Sequence, residues 1–261
     1  MTFFLPDILI LIFGLCIGSF LNVCIYRMPR EKISVGYPKR SMCPNCGTQL
    51  HFWENIPLIS YIFLLGKCRT CKTAISMRYP VVELISACFA LATYYKFGLT
   101  TIGLVYYVLL IALVVITFID LDFQIIPNSI SLPGIVVGFL TSVFLPEISV
   151  QDSFLGILVG GGLFFSIAYI FVTIRGIEGM GMGDVKLLAM LGAFLGLKGV
   201  MFIIFISSIL GTISGIIVMI HARSFSFKQK IPFGPFLSIA AMIYIFWGDL
   251  LIIQYVMWLR G

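Results

Sequence analysis

Gly179-Met180-Gly181-Met182-Gly183-Asp184-Val185-Lys186 sets a carboxylate at the head of a long apolar run, behind three alternating glycines. Glycine has no Cβ, so this approach segment lets other backbone come close. The acid is the informative part, because an ionisable group at a membrane boundary is costly and marks function. Upstream, Phe118-Ile119-Asp120-Leu121-Asp122-Phe123-Gln124-Ile125-Ile126-Pro127-Asn128 closes another apolar run with two acids. Carboxylates brought to one place by separate helices can share a proton, an arrangement suited to splitting a peptide bond.

The 261 residues are 60% hydrophobic and only 11% charged, the balance of a polytopic membrane protein. Eight apolar stretches, at 5–26, 81–97, 102–119, 129–146, 153–174, 185–197, 199–220 and 234–258, are candidates for spans of about 20 residues, the sixth being short. The predicted fold class is therefore an all-α polytopic membrane protein with about eight transmembrane helices and a small cytosolic insert. Residues 1–26 form the first transmembrane helix, 27–80 the insert, and 81–261 the remaining bundle. The first run starts without a basic residue and lacks a small-residue cleavage site, so it is predicted to stay as a span. Neither an internal repeat nor a long linker is apparent.

The net charge of +6 is a topology signal, since nine of the seventeen basic residues fall between Arg27 and Arg78, in one interhelical loop. Nucleic acid is not an expected partner. The loops 27–80, 120–128, 175–184 and 221–233 together hold thirteen basic residues, while the opposite side has only Lys96, Lys198 and Arg260. This asymmetry predicts an inner-membrane protein with both termini outside and the large loop in the cytosol. Asp120, Asp122 and Asp184 then share the cytosolic face.

Within the loop, Cys43-Pro44-Asn45-Cys46 and Cys68-Arg69-Thr70-Cys71 form two CxxC units with 21 residues between them. Two tight turns that each offer two thiolates complete the tetrahedral shell zinc prefers. Reduced or redox-active thiols are the alternative, but cytosolic placement without a βαβ pattern favours a structural zinc. An insert this small needs metal to fold well. His51 reads as a loop residue, and Trp53-Glu54-Asn55-Ile56-Pro57 reads either as a presented surface or as loop packing.

Plainer readings stand beside the functional ones. Asp184 can serve as a helix cap, and Asp120 and Asp122 can belong to the turn closed by Pro127-Asn128. Asn22, after Gly18-Ser19, suits helix packing, and Arg27 suits snorkelling to headgroups. Glu83 follows Arg78-Tyr79-Pro80 at a helix start, where the dipole favours an acid; pairing with Arg27 is a second option. Lys186 either tunes the acid beside it or anchors its helix, and anchoring is favoured.

Taken together, Gly18-Ser19-Phe20-Leu21-Asn22-Val23, the two CxxC pairs, Arg78-Tyr79-Pro80 with Glu83, Asp120-Leu121-Asp122 through Ile126-Pro127-Asn128, and Gly181-Met182-Gly183-Asp184-Val185-Lys186 resemble the bacterial prepilin peptidases. These are membrane aspartic proteases of the type IV prepilin leader peptidase family. The resemblance implies that Asp120 and Asp184 are catalytic, with Asp122, Gly181, Gly183 and Lys186 in support. Choosing Asp120 over Asp122 rests on it alone. It further implies cleavage of prepilin or pseudopilin leaders at the cytosolic face, in contact with membrane lipids. N-methylation of the new terminus with S-adenosylmethionine is also implied, and Cys43, Cys46, Cys68 and Cys71 are expected to hold zinc. Asn22, Arg27, Glu54 and Glu83 are candidate participants in methyl transfer. No cofactor signature locates the methyl donor. Two rival readings are an ion-coupled transporter, which calls for acids near mid-membrane, and a non-enzymatic zinc-ribbon scaffold, which tolerates loss of both acids.

Overall fold

The computed structural model describes residues 4–30, 33–145, 148–175, 181–221 and 232–260. Gly179, the first of the three glycines, and most of the basic loops at 175–184 and 221–233 lie outside the described residues. What is described is helical, with only isolated bridges such as Met42 to Gln49 in place of strands. The helices are α1 (Phe4–Arg27), α2 (Ile59–Phe63), α3 (Arg78–Phe97), α4 (Thr101–Phe123), α5 (Asn128–Phe144), α6 (Val150–Ile157), α7 (Phe164–Arg175), α8 (Met182–His221) and α9 (Gly234–Arg260). A 3₁₀ turn at Phe52–Asn55 and a π-helical segment at Leu158–Leu163 complete the set.

Five of these segments are long and apolar enough to cross a membrane: Leu5–Arg27, Thr101–Phe123, Val150–Ile174, Met182–Ile220 and Gly234–Trp258. The expected stretches at 81–97 and 129–146 appear as α3, which carries charges, and the shorter apolar α5. The sixth and seventh expected spans run together as α8, broken at Gly196, where φ is 68°. That left-handed conformation costs glycine little, and the break falls close to the boundary expected near 198. Two expectations need correction. Helix α4 runs past residue 119 to Phe123, so Asp120 and Asp122 stand in its last turn and not in a loop. The segment between the cysteine pairs is partly helical, with the 3₁₀ turn and α2 inside it.

The chain divides into two compact units, Met1–Val115 and Ile116–Gly261. In the first, α1 lies along α3. Gly14 and Gly18 make this possible, for a Cβ on either would fall 2.6 Å from the Cα of Ala87 or Glu83. Without a hydrophobic force between helices in lipid, such close backbone contact is the main source of attraction. The Ser86 and Tyr107 hydroxyls, 3.0 Å apart, satisfy each other among these apolar residues.

In the second unit, the first half of α8 is the central element, with Leu187, Leu188, Leu191 and Ala193 wholly buried. Helices α5, α6 and α9 and the π-helical segment pack on α8. Ser153 on α6 donates to the Ala193 carbonyl at 2.8 Å, tying the two helices by a buried hydrogen bond. Gly156 and Gly192 face each other so closely that a Cβ on either would overlap the other's carbonyl.

Gly192→Ala is therefore expected to destabilise the bundle by about 1–3 kcal/mol through overpacking. Gly162→Ala, whose methyl would meet only Leu158 Cδ2 at 3.8 Å, should leave stability near wild type. Thermal unfolding of the two variants in detergent checks the contrast.

Candidate active site and metal centre

Both sequence-predicted acids fall in the second unit and come together there. Asp184 stands in the first turn of α8, where the helix dipole favours a negative charge. Its amide donates to the Gly181 carbonyl at 3.0 Å, and its carboxylate folds back over that residue, since a methyl on Gly181 would lie 3.3 Å from Oδ2. Asp120 is placed the opposite way, at the C-terminal end of α4, where its own helix dipole opposes it. It is nonetheless buried, with 4% of its surface exposed. The first residue of α9 offsets the mismatch, because the Gly234 N–H donates to Asp120 Oδ2 at 3.0 Å in a buried hydrogen bond. The two carboxylates are near enough that the charge of Asp120 bears on Asp184.

Two contacts hold the acid-bearing segments in register. Gly183 leaves room for the buried Ile126, as a Cβ there would sit 3.0 Å from the Ile126 Cβ. Lys186 Nζ donates to Asn128 Oδ1 at 2.8 Å, so the lysine fastens α8 to the start of α5. Asp122, two residues beyond Asp120, is exposed. The structure thus distinguishes by burial two acids that the sequence leaves equivalent. Gly234 was not singled out from the sequence. Its signal is Phe233-Gly234-Pro235, a glycine followed by a proline at the first turn of the last apolar run.

In the first unit, the sulfurs of Cys43, Cys46, Cys68 and Cys71 all lie within 4.8 Å of one another. Cys43 to Cys71 is 3.8 Å and Cys46 to Cys68 is 4.0 Å. A tetrahedron with metal–sulfur bonds of about 2.3 Å has edges of about 3.8 Å, so the donor set fits zinc in both chemistry and size. The turns are alike. Cys43 N–H donates to the Thr48 carbonyl and Cys68 N–H to that of Thr73, both at 2.9 Å, and Gly47 and Lys72 share a positive φ. The six-residue knuckle thus occurs twice, once for each CxxC unit. Thr73 lies 3.3 Å from Cys71 Sγ; its hydroxyl, its amide and the Asn45 amide hold that thiol well below its usual range, at about 5. A thiolate is the form that binds metal.

The remaining candidates brace the insert. Glu54 is buried, pairs with Arg69 of the second knuckle at 3.3 Å and accepts from the His51 amide at 2.7 Å. Glu83 accepts from the Leu58 amide at 2.9 Å, holding the start of α2. Arg27 donates to the Val35 and Pro38 carbonyls at 3.0 and 2.8 Å. The suggested Arg27–Glu83 pair is replaced by these contacts: each side chain has found backbone partners in the insert. Asn22 donates to the Tyr79 carbonyl at 3.0 Å and so joins α1 to α3.

Two family models match the segments that carry the cysteines and the acids. Residues 12–97 match the bacterial peptidase A24 N-terminal domain, and residues 107–216 match the type IV leader peptidase family. Among curated proteins, a prepilin leader peptidase/N-methyltransferase of Pseudomonas aeruginosa is 38% identical over 92% of this chain and 89% of its own length. Proteins of the same name from Pseudomonas putida and Aeromonas salmonicida are 36% and 37% identical, over 91% and 92% of the chain and 89% and 90% of their own lengths. No solved structure matches the chain. With both family models in chain order and relatives aligned over about nine-tenths of its length, the chain belongs to the type IV leader peptidase family.

Proposed function

We propose that this protein is a prepilin leader peptidase that also N-methylates the terminus it creates, with Asp120 and Asp184 as its catalytic acids. The observation that carries the reading is the placement of two carboxylates on separate helices, within electrostatic reach of each other, inside the segment matched by the type IV leader peptidase model. The pair shares one proton. The ionised member takes a proton from water as its oxygen attacks the scissile carbonyl, and the protonated member polarises that carbonyl. The tetrahedral intermediate collapses, breaking the C–N bond, as the leaving amine takes the proton first drawn from water and the base is again ionised. Gly181 and Gly183 leave space for substrate backbone, Lys186 keeps the helix of Asp184 in register, and Asp122 stands at the exposed rim.

Substrates are prepilins or pseudopilins, whose apolar helix suits a bundle in lipid and whose basic leader suits an anionic cytosolic surface. The protein sits in the inner membrane with both termini outside and the acids facing the cytosol, as the basic loops favour. Residues 27–80 hold structural zinc on Cys43, Cys46, Cys68 and Cys71, and residues 81–261 carry the peptidase. S-adenosylmethionine supplies the methyl group when bound. Asn22, Arg27, Glu54 and Glu83 shape the insert and its flanks through the contacts described above, and they are the candidate participants in methyl transfer.

Asp120→Ala and Asp184→Ala should each abolish cleavage of a synthetic prepilin in membranes while the protein accumulates normally; intact-mass measurement reads the outcome, and normal processing by either variant would falsify the assignment. Cys43→Ser should lose zinc, measured by elemental analysis of the purified protein, and should release product that is cleaved but not methylated. Full methylation by the zinc-free variant would remove the insert from that reaction.

A further inference from the structure

The two acids are not held alike, and the difference lies in α9. Asp120 is buried at the unfavourable end of its own helix, yet Oδ2 accepts the Gly234 N–H at 3.0 Å from the first turn of another. That amide and the positive end of α9 both favour negative charge at this oxygen. The approach is tight enough to exclude any side chain: a Cβ on Gly234 would stand 2.6 Å from Oδ2 and 3.2 Å from the Cγ of Asp120. Among the described residues, Asp184 has only the first turn of its own helix, and its carboxylate turns back over Gly181. The charged group within electrostatic reach of Asp120 among the described residues is Asp184 from α8, on which the charge of Asp120 bears. The first turn of α9 is uncharged, Gly234-Pro235-Phe236-Leu237, and Asp122 on α4 is exposed.

We propose that Gly234 is a positioning residue of the peptidase site, whose amide fixes Asp120 as the ionised member of the pair and leaves the shared proton on Asp184. This rests on the peptidase reading and adds the roles that reading leaves open. Oδ2 of Asp120 is occupied by the Gly234 amide, so Oδ1 takes the proton from water. The Asp184 carboxyl then donates to the carbonyl oxygen of the scissile peptide. A general base works through its ionised form, so weakening the support for that form moves the acid side of the rate profile, whereas a general acid governs the alkaline side.

The test is Gly234→Ala, whose methyl displaces the Asp120 carboxylate. The kcat for leader cleavage should fall about 10²-fold, the scale of a small misplacement at the reacting atoms, with KM for the prepilin unchanged. The acid limb of the kcat/KM profile should move to higher pH. Zinc content and methyl transfer to a pre-cleaved pilin peptide should stay at wild-type levels. Ser238→Ala, one turn further along α9 and wholly buried, is the control for packing and should leave the profile unmoved. A shift of the alkaline limb in Gly234→Ala, or wild-type kcat, overturns the assignment. Should Gly234→Ala fail to accumulate, adding Asp120→Ala should restore its level by removing the collision; failure to restore it means that Gly234 serves packing alone, and the proposal is lost. If Asp120→Ala and Asp184→Ala are dead while Gly234→Ala is normal, this inference fails and the peptidase reading survives. Normal cleavage by either aspartate variant removes the reading itself.

Discussion

A buried carboxylate in an apolar bundle must be compensated, and the hydrogen bond from Gly234 to Asp120 does this for the second unit. Asp120 cannot draw on its own helix, whose C-terminal end repels it. Compensation has to come from elsewhere in the chain, and the first turn of α9 arrives more than a hundred residues later in sequence to supply it. The requirement also fixes which residue stands there, because only glycine lets that backbone approach so closely. A single electrostatic need thus links the ends of α4, α8 and α9.

Within each unit the packing is made by omission. Gly183 admits Ile126, Gly192 admits the carbonyl of Gly156, and Gly14 and Gly18 admit α3. In lipid, apolar side chains gain little by meeting one another, so helices associate where small residues let backbone touch backbone. The cysteine-bearing insert obeys different rules. It has little apolar interior, and its shape comes from four sulfurs drawn together and from Glu54, Glu83 and Arg27 bonding to backbone or to a knuckle.

Much of this was legible in the sequence because the signals were of the durable kind. Apolar runs announced the helices, and the break in α8 fell at Gly196, near the expected join. The acids and cysteines were named from residue type and spacing. The misses share a physical cause. Periodicity places the apolar part of a helix but not its polar last turn, so α4 was ended before Asp120. Side-chain partners in an insert are set by turns that no periodicity encodes, so Glu83 was offered Arg27 when it holds the Leu58 amide. Gly234 contributes through its backbone N–H, which leaves no chemical mark in a sequence; only the Gly-Pro pair beside it was visible. Asp120 and Asp122 differ in burial, a property of the helix face and not of the residue type.

The break at Gly196 leaves the acid-bearing part of α8, Met182–Leu195, as a short rod. At about 1.5 Å per residue it is about 21 Å long, against a hydrocarbon layer of about 30 Å. A rod that falls short of the layer it is set in must have the layer pinched around it, or its charged tip drawn below the headgroup plane. The position of Gly196, fourteen residues beyond the start of the helix, thus sets how much of such a layer the rod that carries Asp184 can cross.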